Sequence, residues 1–185
     1  MRKVVFVAFV FLALIFGAVA HAQRTQKASD ILKAAQTKAT DQNKSVLLIF
    51  GASWCEACHQ LDTFLALPDV SSIIDQHFVV AHMTFGESAA GHADWDTPGS
   101  NTLIAKYGGI GSNGRVSLPF IAVVDAKARL LANSGPATSH DSESTGFPIE
   151  PAEISAFLAM LQKGAPTLTP DDLHKIETGL HRAAE

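Results

Sequence analysis

Val46-Leu47-Leu48-Ile49-Phe50 is a continuous apolar run with no polar alternation. Such a run marks a strand covered on both faces, as when helices pack on both sides of a sheet. Shortly after it the chain reads Trp54-Cys55-Glu56-Ala57-Cys58, and a helix-like stretch follows from His59 to Leu67. These are the only two cysteines in 185 residues. A strand, a short turn and two thiols at a helix start are the parts of a site that exchanges disulfides. The string Cys55 to His59 also matches the C-x-x-C-H of covalent haem attachment.

The N-terminus bears on the compartment. Arg2 and Lys3 precede the apolar run from Val4 to Ala20, and Ala20-His21-Ala22 supplies small residues where a signal peptidase cuts. This pattern predicts a secretory signal over residues 1–22, cleaved before Gln23. The run is 17 residues long, at the short limit for a membrane span, so an uncleaved inner-membrane anchor facing the periplasm is the alternative. Removing Arg2 and Lys3 from the 14 basic residues leaves 12 against 18 acidic ones, so net charge moves from −4 to −6. Binding to nucleic acid or to anionic membrane is not expected from that balance. One close cysteine pair in an exported chain points to a redox-active or ligand-binding pair. As a staple, so short a loop would remove little entropy from the unfolded chain.

The pattern along the chain predicts helix, strand, helix, strand, helix, strand, strand, helix, helix. Residues 23–43 form an N-terminal helical segment, with Ser29 or Asp30 as its cap and Ile31, Leu32, Ala35 and Ala39 as a thin apolar stripe. The main domain spans residues 44–165. Within it Pro68 interrupts the cysteine-bearing helix, and Asp69 restarts a short one carrying Val70, Ile73 and Ile74. Phe78 to Phe85 and Phe120 to Val124 are strands, and Arg129 to Ser134 is a hairpin partner. Gly86 to Ser100 and Gly135 to Pro148 are polar loops. Thr169-Pro170-Asp171-Asp172 is a helix start, and residues 166–185 form an extra C-terminal helix with Leu173, Ile176 and Leu180 on its apolar side. The whole is an α/β sandwich around a mixed sheet, with a parallel portion and a terminal hairpin.

These elements resemble the thioredoxin fold. The residues that carry the resemblance are Phe50-Gly51-Ala52-Ser53-Trp54-Cys55-Glu56-Ala57-Cys58 and, further on, Ser117-Leu118-Pro119-Phe120. The chain is similar to exported thioredoxin-like proteins, and in particular to the C-terminal domain of periplasmic thiol:disulfide interchange proteins, with Pro68-Asp69-Val70 matching their helix restart. The resemblance covers about residues 44–134. It implies a thioredoxin-like fold, a central mixed β-sheet flanked by helices, and a cis Leu118-Pro119 bond against the C-x-x-C. It also implies protein disulfides as substrates, a membrane thiol:disulfide interchange protein as electron donor, a periplasmic location and a monomer. No cofactor is expected beyond the redox-active Cys55–Cys58 disulfide, and no metal. The chain departs from the family at Ile49, where thioredoxins commonly carry a buried Asp that helps move protons. The loops at 86–100 and 108–117 look longer than in a minimal thioredoxin, and both flank the expected active-site face.

At a helix start, unpaired N–H groups and the dipole favour a thiolate, so Cys55 is the expected attacking thiol. Cys58, one turn inside and more buried, is the resolving thiol. Glu56 opposes thiolate formation through like charge, which favours a reductase over an oxidant; its alternative is a solvated side chain without effect. Trp54 is expected to pack beside the site and shield it, or else to serve as plain core. Pro119 presents a flat surface to substrate backbone.

Three other readings stand beside this one. Haem attachment would use both thiols with His59 as axial ligand and Met83, Met160 or another His as the second. Zinc or copper would need His82 or His92 to join the cysteines, because one C-x-x-C supplies only two of four ligands. A binding module or chaperone would keep the fold without turnover. Glu87, Asp94 and Asp96 read as solvated side chains of a polar loop.

Overall fold

The computed structural model describes residues 26–112, 114–135 and 146–185. The expected signal sequence and most of the second polar loop lie outside them. The elements in order are α1 (Ala28–Gln42), β1 (Ser45–Gly51), α2 (Glu56–Ala66), α3 (Pro68–His77), β2 (Phe78–Thr84), two single-turn 3-10 helices at Glu87–Ala90 and Ala93–Trp95, α4 (Ser100–Lys106), β3 (Phe120–Val124), β4 (Leu130–Asn133), α5 (Pro151–Gly164) and α6 (Pro170–Ala183). The sheet runs β2-β1-β3-β4. β1 pairs with β2 in parallel and with β3 antiparallel, and β3 and β4 form the antiparallel hairpin. This is the mixed α/β architecture expected from the element order. No helix among the described residues is long and apolar enough to cross a membrane.

The unalternating apolar run is explained by two cores, one on each face of the sheet. Leu47 and Ile49 point into a cluster with Leu61 and Phe64 of α2, Val70 and Ile73 of α3, Phe157 and Leu161 of α5, and Ile176 and Leu180 of α6. Val46, Leu48 and Phe50 point the other way, to Leu32, Ala35 and Ala39 of α1 and to Ile104 of α4. Successive side chains alternate faces, so a strand buried on both must be apolar throughout.

Several boundaries follow local chemistry. Leu67 is extended (ψ 127°) and ends α2, because Pro68 disfavours a helical residue before it. Pro68 itself opens α3, as suits a first helical position that needs no N–H. α6 starts at the expected signal: the Thr169 hydroxyl accepts the Asp172 N–H at 3.2 Å, and the Asp172 carboxylate accepts the Thr169 N–H at 2.9 Å. The Thr169 hydroxyl also donates to the Asp172 carboxylate at 2.7 Å, and this bond first, then the Thr169 N–H, holds the Asp172 carboxyl below its usual range.

The start of α1 is a correction. Neither Ser29 nor Asp30 caps it; Lys27 occupies the cap position without a side-chain bond. The Ala28 N–H donates instead to the Pro98 carbonyl at 2.9 Å, and Ala28 is fully buried. A tertiary contact supplies the acceptor that a capping side chain would otherwise provide.

α6 lies close enough to α3 that Gly179 has no room for a side chain. A Cβ there would stand 2.5 Å from Cγ2 of the fully buried Val70. Gly179→Ala gains up to about 1 kcal/mol of helix propensity but incurs overpacking of about 1–3 kcal/mol. The expected net result is a loss of about 1 kcal/mol, measured by denaturant unfolding. An unchanged or raised midpoint would show that α3 and α6 separate without cost.

Candidate active site

β1 carries the chain out of the sheet at Gly51 and into the cysteine turn. A Cβ on Gly51 would stand 3.1 Å from Cys58 Sγ, so the glycine lets the strand end pass against the sulfur. Cys55 is the N-cap residue of α2, with extended backbone (φ −88°, ψ 104°). Its Sγ accepts the Cys58 N–H at 3.2 Å, and Cys55 and Cys58 are joined in a disulfide. The sulfur of Cys55 thus sits where the first-turn N–H groups of a helix concentrate partial positive charge.

The structure brings the sequence-distant motif to this turn. Leu118-Pro119 is a cis peptide, as the resemblance implied. Leu118 packs against Ala52, Cys55 and Cys58, and Pro119 is buried immediately before β3. Cys55, Cys58 and Pro119 therefore share one small region. Glu56 is exposed in the first turn of α2. Trp54 is 49% exposed and donates its Nε1–H to the Gly86 carbonyl at 2.9 Å. It is therefore a half-open wall beside the turn and not part of the core. Gly86, at φ 90°, stands between Trp54 and Leu118: a Cβ there would lie 3.6 Å from the indole and 3.5 Å from Leu118 Cδ1.

One expectation about the cysteines changes. Cys58 is not the more buried of the two; the exposures are 5% for Cys55 and 7% for Cys58. Leu118 and Ala57 pack against the cluster of Ala52, Cys55 and Cys58, and Cys58 lines a cleft of about 290 Å3 together with Ile49, Asp62, His82, Met83, Thr84 and Glu87. Ile49 faces this cleft where a thioredoxin-like acid was expected to be missing.

Of the residues named for haem or metal binding, Cys58, His59, His82 and Met83 line one cleft, while Met160 and His92 lie elsewhere. Met83 and Met160 are buried in the clusters on opposite faces of the sheet. His59 is exposed, and its Nε2 lies 2.9 Å from the Ser53 carbonyl. His82 stands 4.0 Å from Asp62, and His92 stacks on Trp95 at 4.0 Å between ring centroids. Among the described residues no three His, Cys, Asp or Glu side chains are grouped to hold a metal ion.

Glu87 and Ser53 were not singled out as site residues by sequence reasoning. Glu87 was expected to be solvated, yet it is 1% exposed. Its carboxylate accepts the Ser53 N–H at 2.6 Å and the Ser53 hydroxyl at 2.7 Å. No local pattern signals this, because its partner lies 34 residues away. Gly146 also enters the site: a Cβ there would meet Ala57 Cβ at 2.8 Å and the Leu118 carbonyl at 3.2 Å. Phe147 beside it is buried against Phe64 of α2.

A family model described as thioredoxin-like matches residues 28–126. No curated protein sequence matches the chain. Among solved structures, a disulphide isomerase from Xylella fastidiosa Temecula1 is 20% identical with a TM-score of 0.45, over 83% of this chain and 88% of that one. A thioredoxin from Thermus thermophilus is 20% identical with a TM-score of 0.44, over 76% and 89%. The C-terminal domain of DsbD from Neisseria meningitidis, in its oxidised form, is 22% identical with a TM-score of 0.36, over 64% and 89%.

Proposed function

This chain belongs to the thioredoxin-like family, and on that premise we propose that it is an exported thiol–disulfide oxidoreductase acting as a reductase of protein disulfides. One observation carries the reading: a Cys55–Cys58 disulfide at the N-terminus of α2, packed against Leu118 of the cis Leu118-Pro119 bond. In the reduced protein the Cys55 thiolate attacks one sulfur of a substrate disulfide. A mixed disulfide forms and the first substrate thiolate leaves. Cys58, as thiolate, then attacks Cys55 Sγ, releases the second substrate thiol and regenerates the Cys55–Cys58 disulfide. Two electrons pass from the dithiol to the substrate.

Cys55 gains from the helix N-terminus, where a neighbouring N–H already points at its sulfur. Glu56, one residue on, works against the thiolate and so toward the reducing direction. Trp54, half exposed beside the turn, offers a surface for substrate, and Pro119 follows the Leu118 that packs on the disulfide. An oxidising compartment requires a donor to re-reduce the pair, and a membrane thiol:disulfide interchange protein has the matching chemistry. The basic start and apolar run of residues 1–22 support export to the periplasm.

The test is insulin-disulfide reduction by the purified protein, together with the equilibrium potential of the Cys55–Cys58 pair against glutathione. Turnover and a potential well below the oxidant end of the scale are expected. A potential near about −120 mV would overturn the reductase direction. A reducible pair without turnover would favour the binding module.

A further inference from the structure

Glu87 is the only buried acid among the described residues. Burying a carboxylate is costly unless it is well hydrogen-bonded, and its two oxygens accept two short bonds from one residue, Ser53. Two acceptors facing two donors is the pattern of an ionised carboxylate. The third polar group of Ser53, its carbonyl, lies 2.9 Å from His59 Nε2. The Glu87 N–H in turn donates to Asp96 Oδ1 at 3.0 Å. The next residue, Trp54, is held by the Gly86 carbonyl. The loop after β2 thus grips both residues that precede Cys55, through two consecutive residues of its own. Glu87 also lines the cleft onto which Cys58 opens, with His59, Asp62 and His82 around it.

We propose that Glu87 is a positioning residue that both fixes the cysteine turn through Ser53 and holds the Cys55–Cys58 couple toward the reducing side. The inference rests on the thiol–disulfide exchange reading above. Reducing the disulfide takes two electrons from a donor dithiol and leaves Cys55 partly ionised. A fixed negative charge bonded to Ser53, two residues before Cys55, and lining the cleft that Cys58 also lines, disfavours that thiolate, and burial leaves it less screened than a surface charge. The reduced form is then less stabilised, and the dithiol passes its electrons on more readily. The Ser53 N–H, being committed to Glu87, is also withdrawn from any role in stabilising the sulfur.

The experiment compares wild type, Glu87→Gln and Ser53→Ala in redox equilibrium with glutathione, and follows the thiolate by its ultraviolet absorbance against pH. Glu87→Gln keeps the size and one acceptor but removes the charge. It is expected to raise the equilibrium constant for reduction about three- to tenfold, a rise in potential of about 14–30 mV. Cys55 should ionise at lower pH. Ser53→Ala keeps the charge and the backbone bond, so it should lower thermal stability while moving the constant less than about twofold. Glu87→Met is a second neutral variant with the same expected rise, which keeps the test open if Glu87→Gln does not fold. A constant unchanged in the neutral variants, or shifted as far by Ser53→Ala, would overturn the assignment. A wild type that neither equilibrates with glutathione nor reduces insulin would instead overturn the exchange reading.

Discussion

Cys55→Ser is expected to abolish insulin reduction completely, to the rate of the buffer reductant alone. A serine hydroxyl forms no disulfide, so the first step has no nucleophile. The fold should persist, because serine is a favoured N-cap residue and its oxygen can accept the Cys58 N–H that Cys55 Sγ now accepts. The proper reference for stability is reduced wild type. Losing the four-residue disulfide loop itself removes at most about 2 kcal/mol on the chain-entropy account. Cys58→Ser should behave differently: the mixed disulfide forms at Cys55 and is not resolved, so a covalent adduct accumulates and is seen by mass spectrometry. If the adduct instead formed through Cys58 in the Cys55→Ser variant, the two roles would be exchanged. That outcome has a structural basis to be tested against, since Cys58 is the sulfur that borders the open cleft.

Phe64→Ala should be the most destabilising single core substitution near the site. Phe64 is fully buried in α2, and its ring meets Phe157 of α5 at 5.9 Å and Phe147 at 6.1 Å, both edge-on. Truncating such a residue costs about 3–5 kcal/mol, from lost transfer energy plus the cavity left behind. A domain of this size holds about 5–15 kcal/mol in total. The melting temperature of the oxidised protein should fall by roughly 6–20 °C. α2 has Cys55 as its N-cap and Cys58 in its first turn, so the loss of its packing partner loosens the site as well. A fall of less than about 3 °C would show that the α2–α5 contact contributes little.

Both expectations draw on parts of the molecule that were legible in the sequence to different degrees. β1 was legible because burial on two faces leaves a one-dimensional trace, an apolar run without alternation. α6 was legible because Thr169, Pro170 and Asp172 meet the chemical needs of a helix start within four residues. The cysteine turn was legible because its parts are contiguous. Its partner Leu118-Pro119 was reached only through family resemblance, since nothing local distinguishes a Leu-Pro pair packed against a disulfide from one in an ordinary turn.

What escaped was set by distant partners. The cap position of α1 falls on Lys27 and not on Ser29 or Asp30, and the Pro98 carbonyl is the acceptor for Ala28 there. The two cysteines are buried almost equally, because Leu118 and Ala57 pack against the cluster that holds both. Glu87 looked like any acid in a polar loop.

The sequence by itself determined the order of elements, the two-sided sheet and the place of Cys55 and Cys58 at a helix start, because periodicity, capping and motif spacing act over a few residues. Only the tertiary structure decided what surrounds that pair. The loop after β2 folds back onto Ser53 and Trp54, and the carboxylate of Glu87 is buried there because two donors of Ser53 meet it. A buried charge is tolerable only where its hydrogen bonds are complete, and those bonds exist only once residues 34 positions apart have been brought together.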